Sequence, residues 1–256
     1  MSTAPRLFAF CSPAMGSGKS TIARHLEERH GFEIVSFATP IKYMTSGLLD
    51  AIGMNAEEVR ARVYGDRKEE PIANMPSLAA RDQATRLIAI GQMVDGILEA
   101  LGMDANQRYA HTYGVLQFTD VSALRMSVDS FRAELITFAN AHLFVPSITS
   151  RRIQQLIGTE FGRAISEDFW VGIARSAIAA HRAAGRSAVV DDMRFPNELE
   201  AMRSEGAECW RIMRPGVKVT SKHASEGQLD DVQMNTLMNG GSVKDLLLVV
   251  DRVLSL

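Results

Sequence analysis

Short apolar blocks alternate along this chain between strand-like runs and helical spacing, punctuated by Gly, Pro and charged clusters. Residues 6–11 (RLFAFC) form a compact apolar run. Gly16 and Gly18 follow it, and then Ile22, Ala23 and Leu26 fall on one helical face. This predicts strand, loop and helix in that order. Residues 32–38 (FEIVSFA) alternate and carry β-branched side chains, and Pro40 stands where a helix can begin, with Ile41, Met44 and Leu48 along one side. A second strand–helix unit is expected there.

The pattern then predicts a helix over 55–63 and an exposed loop in GDRKEEPIANMP, broken by Pro71 and Pro76. Residues 78–101 and 127–142 have helical spacing, with Gly91 and Gly96 weakening the first. Residues 74–148 read as an inserted, mainly helical lobe, leaving 1–73 and 149–256 as the core. Ser150 or Thr149 can cap a helix through RRIQQLIGTEFG, and Ser166 can cap another that ends before Gly185. Residues 187–193 (SAVVDDM) read as a buried strand ending in carboxylates, with alternation turning Asp191 away from the face of Asp192. A short helix from Pro196, a strand over Glu208–Met213, a polar loop VKVTSKHASEGQLDD, a strand over Thr236–Asn239 and a helix boxed by Ser242 and Asp245 complete the chain. Such alternation implies an α/β fold with a mostly parallel sheet, whose ligands sit beyond the carboxyl ends of its strands.

Composition narrows the class. The chain has 256 residues, a formal net charge of −2 and 23% charged residues, so no global basic excess points to a nucleic-acid partner. No apolar run approaches the roughly 18 residues that span a bilayer, and the N-terminus lacks a signal-peptide pattern. Cys11 and Cys209 are too few for a disulfide framework, which fits a reducing cytoplasm.

The segment PAMGSGKST carries the first chemistry. It leaves a predicted strand and opens a predicted helix, the context that a GxGK[ST] match requires. Ala14, Met15, Gly16, Ser17, Gly18, Lys19, Ser20 and Thr21 are the candidates for holding a nucleotide phosphate. Glycines turn backbone N–H groups toward the anion, the helix N-terminus adds its dipole, Lys19 adds a charge and the Ser20 hydroxyl can reach Mg2+. Pro13 departs from the usual pattern, which has Gly there. N-K-x-D motifs of GTPases are absent, and VVDDMRFPNE lacks the Asp-Glu strand ending usual in motor ATPases. The balance favours a small-molecule kinase.

Several separate segments together resemble the bacteriophage-type deoxynucleoside monophosphate kinases, with phosphomevalonate kinase as a more distant relation. They are the loop ending GSGKS, SFATPIK, GDRKEEPI, RRIQQLIGTEFGR followed by DFWV, VVDDMRFPNE and HASEGQLD. The resemblance implies a P-loop kinase three-layer sandwich with a mostly parallel five-stranded sheet and an inserted helical lobe. It implies transfer of the ATP γ-phosphoryl group to a deoxynucleoside monophosphate, with ATP and Mg2+ as cosubstrate and cofactor. The family usually has Asp where this chain has Ser20. A possible homodimer is left open, as is host cytoplasm as the location if the protein is phage-encoded.

By the same resemblance, Lys19, Asp192, Arg194 and Arg163 are the catalytic candidates, and Ser20 with Asp192 the metal candidates. Lys42, Arg67, Lys68, Arg151, Gln155, Gly158, Thr159, Trp170, Asp192, Arg194 and Glu198 are the candidates on the substrate side, Trp170 as a contact to the base. Gly158 and Gly162 can admit a nucleotide closely. Lys218, Lys222, His223, Ser225 and Glu226 lie in a late loop suited to a lid. Two other readings stay open: a kinase acting on a modified base in DNA or a phosphorylated metabolite, and a nucleotide-binding protein without turnover.

Overall fold

The structure is a computed structural model that describes residues 4–14, 16–73, 75, 83–105, 107–108, 120–121, 126–216 and 227–255. The chain divides into two compact units, residues 1–37 with 174–256, and residues 38–173. The lobe expected over 74–148 falls within the second unit, alongside residues 38–73 and 149–173.

The first unit is built on a parallel sheet of β1 (Leu7–Cys11), β2 (Glu33–Val35), β5 (Ala188–Val190), β6 (Glu208–Met213) and β7 (Asn235–Met238), in the order β2-β5-β1-β6-β7. Every residue of the central β1 is buried, as its unbroken apolar run requires of a strand covered on both faces. Its register pairs Phe8 with Val189 on one side and Glu208 on the other. The expected α/β sheet is therefore present, with five parallel strands. β2 and β5 stop earlier than their sequences suggest. Beyond them the Asp192 carboxylate takes over from the ladder, accepting from Ser36 Oγ at 2.6 Å and from the Phe37 N–H at 3.0 Å.

Helix α1 (Lys19–His30) buries Ile22, Ala23 and Leu26, and α10 (Val243–Val253) contributes Leu246 and Val250 to the same core with Phe8, Phe10, Phe32 and Leu237. Helix α9 (Pro196–Ser204) lies between β5 and β6 in the chain.

The second unit is helical apart from the short antiparallel pair β3 (Asp120–Val121) and β4 (Met126–Ser127). It contains α2 (Thr39–Ala51), α3 (Ala56–Val63), α4 (Gln83–Ala100), α5 (Val128–His142), α6 (Ser150–Gln155) and α7 (Gly162–Ile165). Leu48 of α2, Met93 and Ile97 of α4, Phe131 of α5 and Phe169 at the start of α8 (Phe169–Ala183) form one fully buried core. Gly96 is no defect here: a Cβ on it would stand 2.7 Å from the backbone carbonyl of Tyr43, so its lack of side chain sets the α2–α4 approach. Among the described residues no helix is long and apolar enough to cross a membrane.

Candidate active site

All five strands of the first unit's sheet point their carboxyl ends to one edge, and the polar groups there come from the residues that follow them. After β1, residues 12–18 loop into α1. Gly18 is the N-cap of α1 at φ 105°, a left-handed conformation that glycine adopts readily, and no side chain caps the helix. As a glycine, the N-cap brings no side-chain acceptor to the leading N–H groups of α1, and its first turn holds no acidic residue to oppose an anion. Asn239, just past β7, donates its Nδ2 to the Ser17 carbonyl at 2.8 Å, and Arg214, just past β6, donates to the Gly16 carbonyl at 3.0 Å. The Ser17 hydroxyl is buried with no hydrogen-bond partner among the described residues. An orphaned hydroxyl, an open helix N-terminus and a bracing amide fit a loop preformed for phosphate.

Ala14 stands apart from this set, because its N–H is taken by Ser12 Oγ at 3.2 Å. Met15 lies outside the described residues, as do Lys218, Lys222, His223, Ser225 and Glu226. Thr21 is half-buried on the first turn of α1.

Lys19 lines two adjoining hollows. One is shared with Ser12, Pro13, Arg194 and Arg211, the other with Ser17, Arg214 and Asn239. Burial and the neighbouring Arg194 charge push the Lys19 amine below the usual lysine range, partly opposed by Asp191, Cys11 and Asp192. Neither Lys19 nor Arg194 forms a salt bridge among the described residues. Two cations held near each other, offset only in part by Asp191 and Asp192, suit an anion between them.

The hydroxyl of Ser20 donates to Asp191 Oδ2 at 2.8 Å. The expected metal candidates were Ser20 and Asp192, and the direct partner of Ser20 is Asp191. Strand alternation separates the two carboxylates as expected, but it is Asp191 that reaches the phosphate loop, while Asp192 is bound to the segment after β2. Glu198 is bound to the backbone of Arg194, the residue that it was expected to orient or to accompany in touching the nucleotide. It is buried, and its Oε2 accepts from the N–H groups of Arg194 at 2.7 Å and Phe195 at 3.0 Å, as a capping carboxylate of α9 does.

The second unit gathers a set of cations of its own. A 3₁₀ turn over Arg67–Glu69 is tied to α6 through the buried Ser150, whose hydroxyl donates to the carbonyls of Arg62 and Lys68. The buried Arg62 guanidinium in turn bonds Glu58 at 2.8 Å and the Glu70 carbonyl at 2.9 Å. Lys68, Arg151 and Lys42 consequently converge. Burial and then the like charges of Arg151 and Lys42 push the Lys68 amine below its ordinary value. Arg151 also pairs with the exposed Glu69 at 3.0 Å.

Other expectations in this unit meet a different outcome. Arg67 is bound to Glu58 at 3.0 Å and Glu70 at 2.6 Å, so its charge is spent within the fold. Trp170 is only 4% exposed, its Nε1 donates to the Gly158 carbonyl at 2.7 Å, and its ring packs edge-on against Phe169. It is a core residue here, not a platform for a base. Gly162 serves the same packing, since a Cβ on it would lie 2.3 Å from the Trp170 ring, and one on Gly158 would meet Ile41 at 2.9 Å. Both glycines admit side chains of this unit rather than a nucleotide. Gly158 and Thr159 sit in a π-helical turn (Leu156–Phe161), Gln155 precedes it half-buried, and Arg163 is half-buried on α7.

Arg214 and Asn239 are site residues that sequence reasoning passed over, and Asp191 is one that it turned away from the site. Each directly follows a strand of the sheet, and the rule that ligands sit beyond carboxyl ends is the signal that marks them.

A parallel α/β sheet whose first strand feeds a glycine loop, an open helix N-terminus and a half-buried lysine defines a phosphate-loop protein of the kinase kind. The chain belongs to the deoxynucleotide monophosphate kinase family, whose model matches residues 9–249, nearly its whole length. A comparison with curated proteins returned no match.

Proposed function

We propose that this protein transfers the γ-phosphoryl group of ATP to the 5′-phosphate of a deoxynucleoside monophosphate, giving ADP and a deoxynucleoside diphosphate. The observation that carries this is the Lys19–Arg194 pair at the mouth of the phosphate loop, two cations with no salt-bridge partner among the described residues. An acceptor that is already an anionic phosphate needs no strong base. It needs positive charge to offset its repulsion from the donor, and in-line positioning.

In this reading the loop N–H groups and Ser17 hold the donor phosphates, Lys19 draws charge from the γ-phosphoryl oxygens, and Arg194 meets the group in transfer. The bond between the γ-phosphorus and its bridging oxygen breaks, ADP leaves with the electron pair, and an acceptor phosphate oxygen forms the new bond. Ser20 and Asp191, a hydroxyl and a carboxylate, suit the hard oxygen preference of Mg2+. Bound there, Mg2+ would neutralise phosphate charge.

The second unit, taken by itself, carries groups suited to a nucleoside monophosphate. Lys42, Lys68 and Arg151 offer a phosphate three cations. The Lys42 ammonium lies 5.9 Å from the centre of the Tyr64 ring, and Tyr64 lines a cleft with Tyr43, the carboxylates Asp50, Asp95 and Glu99, and Gln92, whose Oε1 is buried without a partner among the described residues. A cation cluster joined to an aromatic-walled cleft suits a nucleoside monophosphate.

Replacing Lys19 by Ala should lower turnover by at least about 10²-fold, the effect of removing one preorganised charge donor, with the circular dichroism spectrum unchanged. Lys68→Ala should raise the acceptor KM far more than the KM for ATP. Turnover preserved in Lys19→Ala would overturn the donor-site assignment.

A further inference from the structure

We propose that His25, His30 and Asp251 form a binding site for a divalent cation of the zinc class, joining the C-terminal half of α1 to α10. The Nε2 atoms of both imidazoles converge on one oxygen, Asp251 Oδ1, at 2.6 Å for His25 and 3.0 Å for His30. The rings stand edge to face with centroids 5.4 Å apart, and the three donor atoms all lie within 4.8 Å of one another.

Two imidazoles and one carboxylate are a donor set that Zn2+, Co2+ and Ni2+ accept, whereas Mg2+ and Ca2+ favour oxygen alone. Tetrahedral Zn2+ with bonds of about 2.0–2.1 Å sets its ligands about 3.3 Å apart. Against that distance the His30–Asp251 separation needs to widen by about 0.3 Å and the His25–Asp251 separation by about 0.7 Å, within the reach of side-chain rotation. Three protein ligands leave the fourth position to water. The side chains are 12%, 24% and 34% exposed for His25, His30 and Asp251, so the ligands are held by packing while an ion can enter from solvent.

The site is separate from phosphoryl transfer. At about 1.5 Å per residue, His25 and His30 lie about 9 and 16 Å along α1 from Lys19. An ion bound there acts by stabilising the unit: it bridges the helix that opens with the phosphate loop to the last helix of the chain, both of which pack in the same core.

The test is a Co2+ titration of the metal-free full-length protein, followed by its visible d–d absorption, with a parallel measurement of the melting temperature in Zn2+. The expected result is an intense tetrahedral band that saturates at one Co2+ per chain and is displaced by Zn2+, and a melting temperature that rises with Zn2+. Asp251→Asn and His25→Ala should weaken binding at least tenfold and remove the Zn2+-dependent rise, whereas Lys19→Ala should keep both. Absence of the band in the wild-type protein, or a band unchanged in folded Asp251→Asn, would overturn the proposal and leave a histidine–aspartate ion pair. The wild-type measurement decides even where a variant fails to fold.

Discussion

Lys19 is held partly out of water next to Arg194, and both effects favour its neutral form. Because the lysine must be charged to grip phosphate, ATP affinity should fall on the alkaline side at a lower pH than an ordinary lysine would give. Removing the like charge raises the Lys19 pKa, so Arg194→Gln should move that alkaline loss to higher pH, as read from ATP binding against pH. An alkaline limb that does not move would contradict the coupling. In the other unit, Trp170→Phe deletes the bond to the Gly158 carbonyl and should cost about 1 kcal/mol, and Gly162→Ala forces a methyl group onto the indole for about 1–3 kcal/mol. Thermal melts check both, at about 2–4 °C per kcal/mol for a domain of this size. At this scale the sequence was legible where one residue type performs one local task. Lys19 and Gly18 follow from the loop motif alone. Trp170 did not, because an indole that binds a base and one that fills a core present the same letters, and only its neighbours Gly158 and Gly162 decide between them.

Among elements, the caps were readable because they depend on side chains a few residues away. Thr149 accepts from the Arg152 N–H at 3.1 Å, Ser242 and Asp245 form the expected box, and the strand Glu208–Met213 has the expected bounds. Thr149→Ala should therefore cost about 1 kcal/mol in equilibrium unfolding. Its neighbour Ser150, the alternative cap, is instead turned inward to hold the turn that carries Lys68. Ser150→Ala should raise the acceptor KM while leaving kcat and ATP affinity near wild type, a split that separates positioning of Lys68 from chemistry. Equal loss in all three would mean general misfolding. The π-helical turn over Leu156–Phe161, whose Gly158 carbonyl accepts from Trp170 Nε1, was not legible, since no local propensity marks it. Nor were the early ends of β2 and β5, which Asp192 sets from outside either strand.

For the whole molecule, alternating strands and helices foretold the parallel sheet, because that order leaves few ways to bury both faces. The grouping of residues 38–173 into one unit was less visible: α2 reads as part of the sheet's own strand–helix repeat, yet its buried face packs on α4 through Gly96, a contact that no local pattern encodes. Since donor nucleotide binds only the folded loop, Mg-ATP at about 100 times its Kd should stabilise the protein by about 2.7 kcal/mol, and Lys19→Ala should lose most of that gain. The most direct test of the central claim is ADP formation from Mg-ATP scanned across dGMP, dTMP, dCMP, dAMP and their ribose counterparts. The account predicts ADP release that depends on at least one deoxynucleoside monophosphate and disappears in Lys19→Ala. ATP binding without stimulation by any of these acceptors would contradict it.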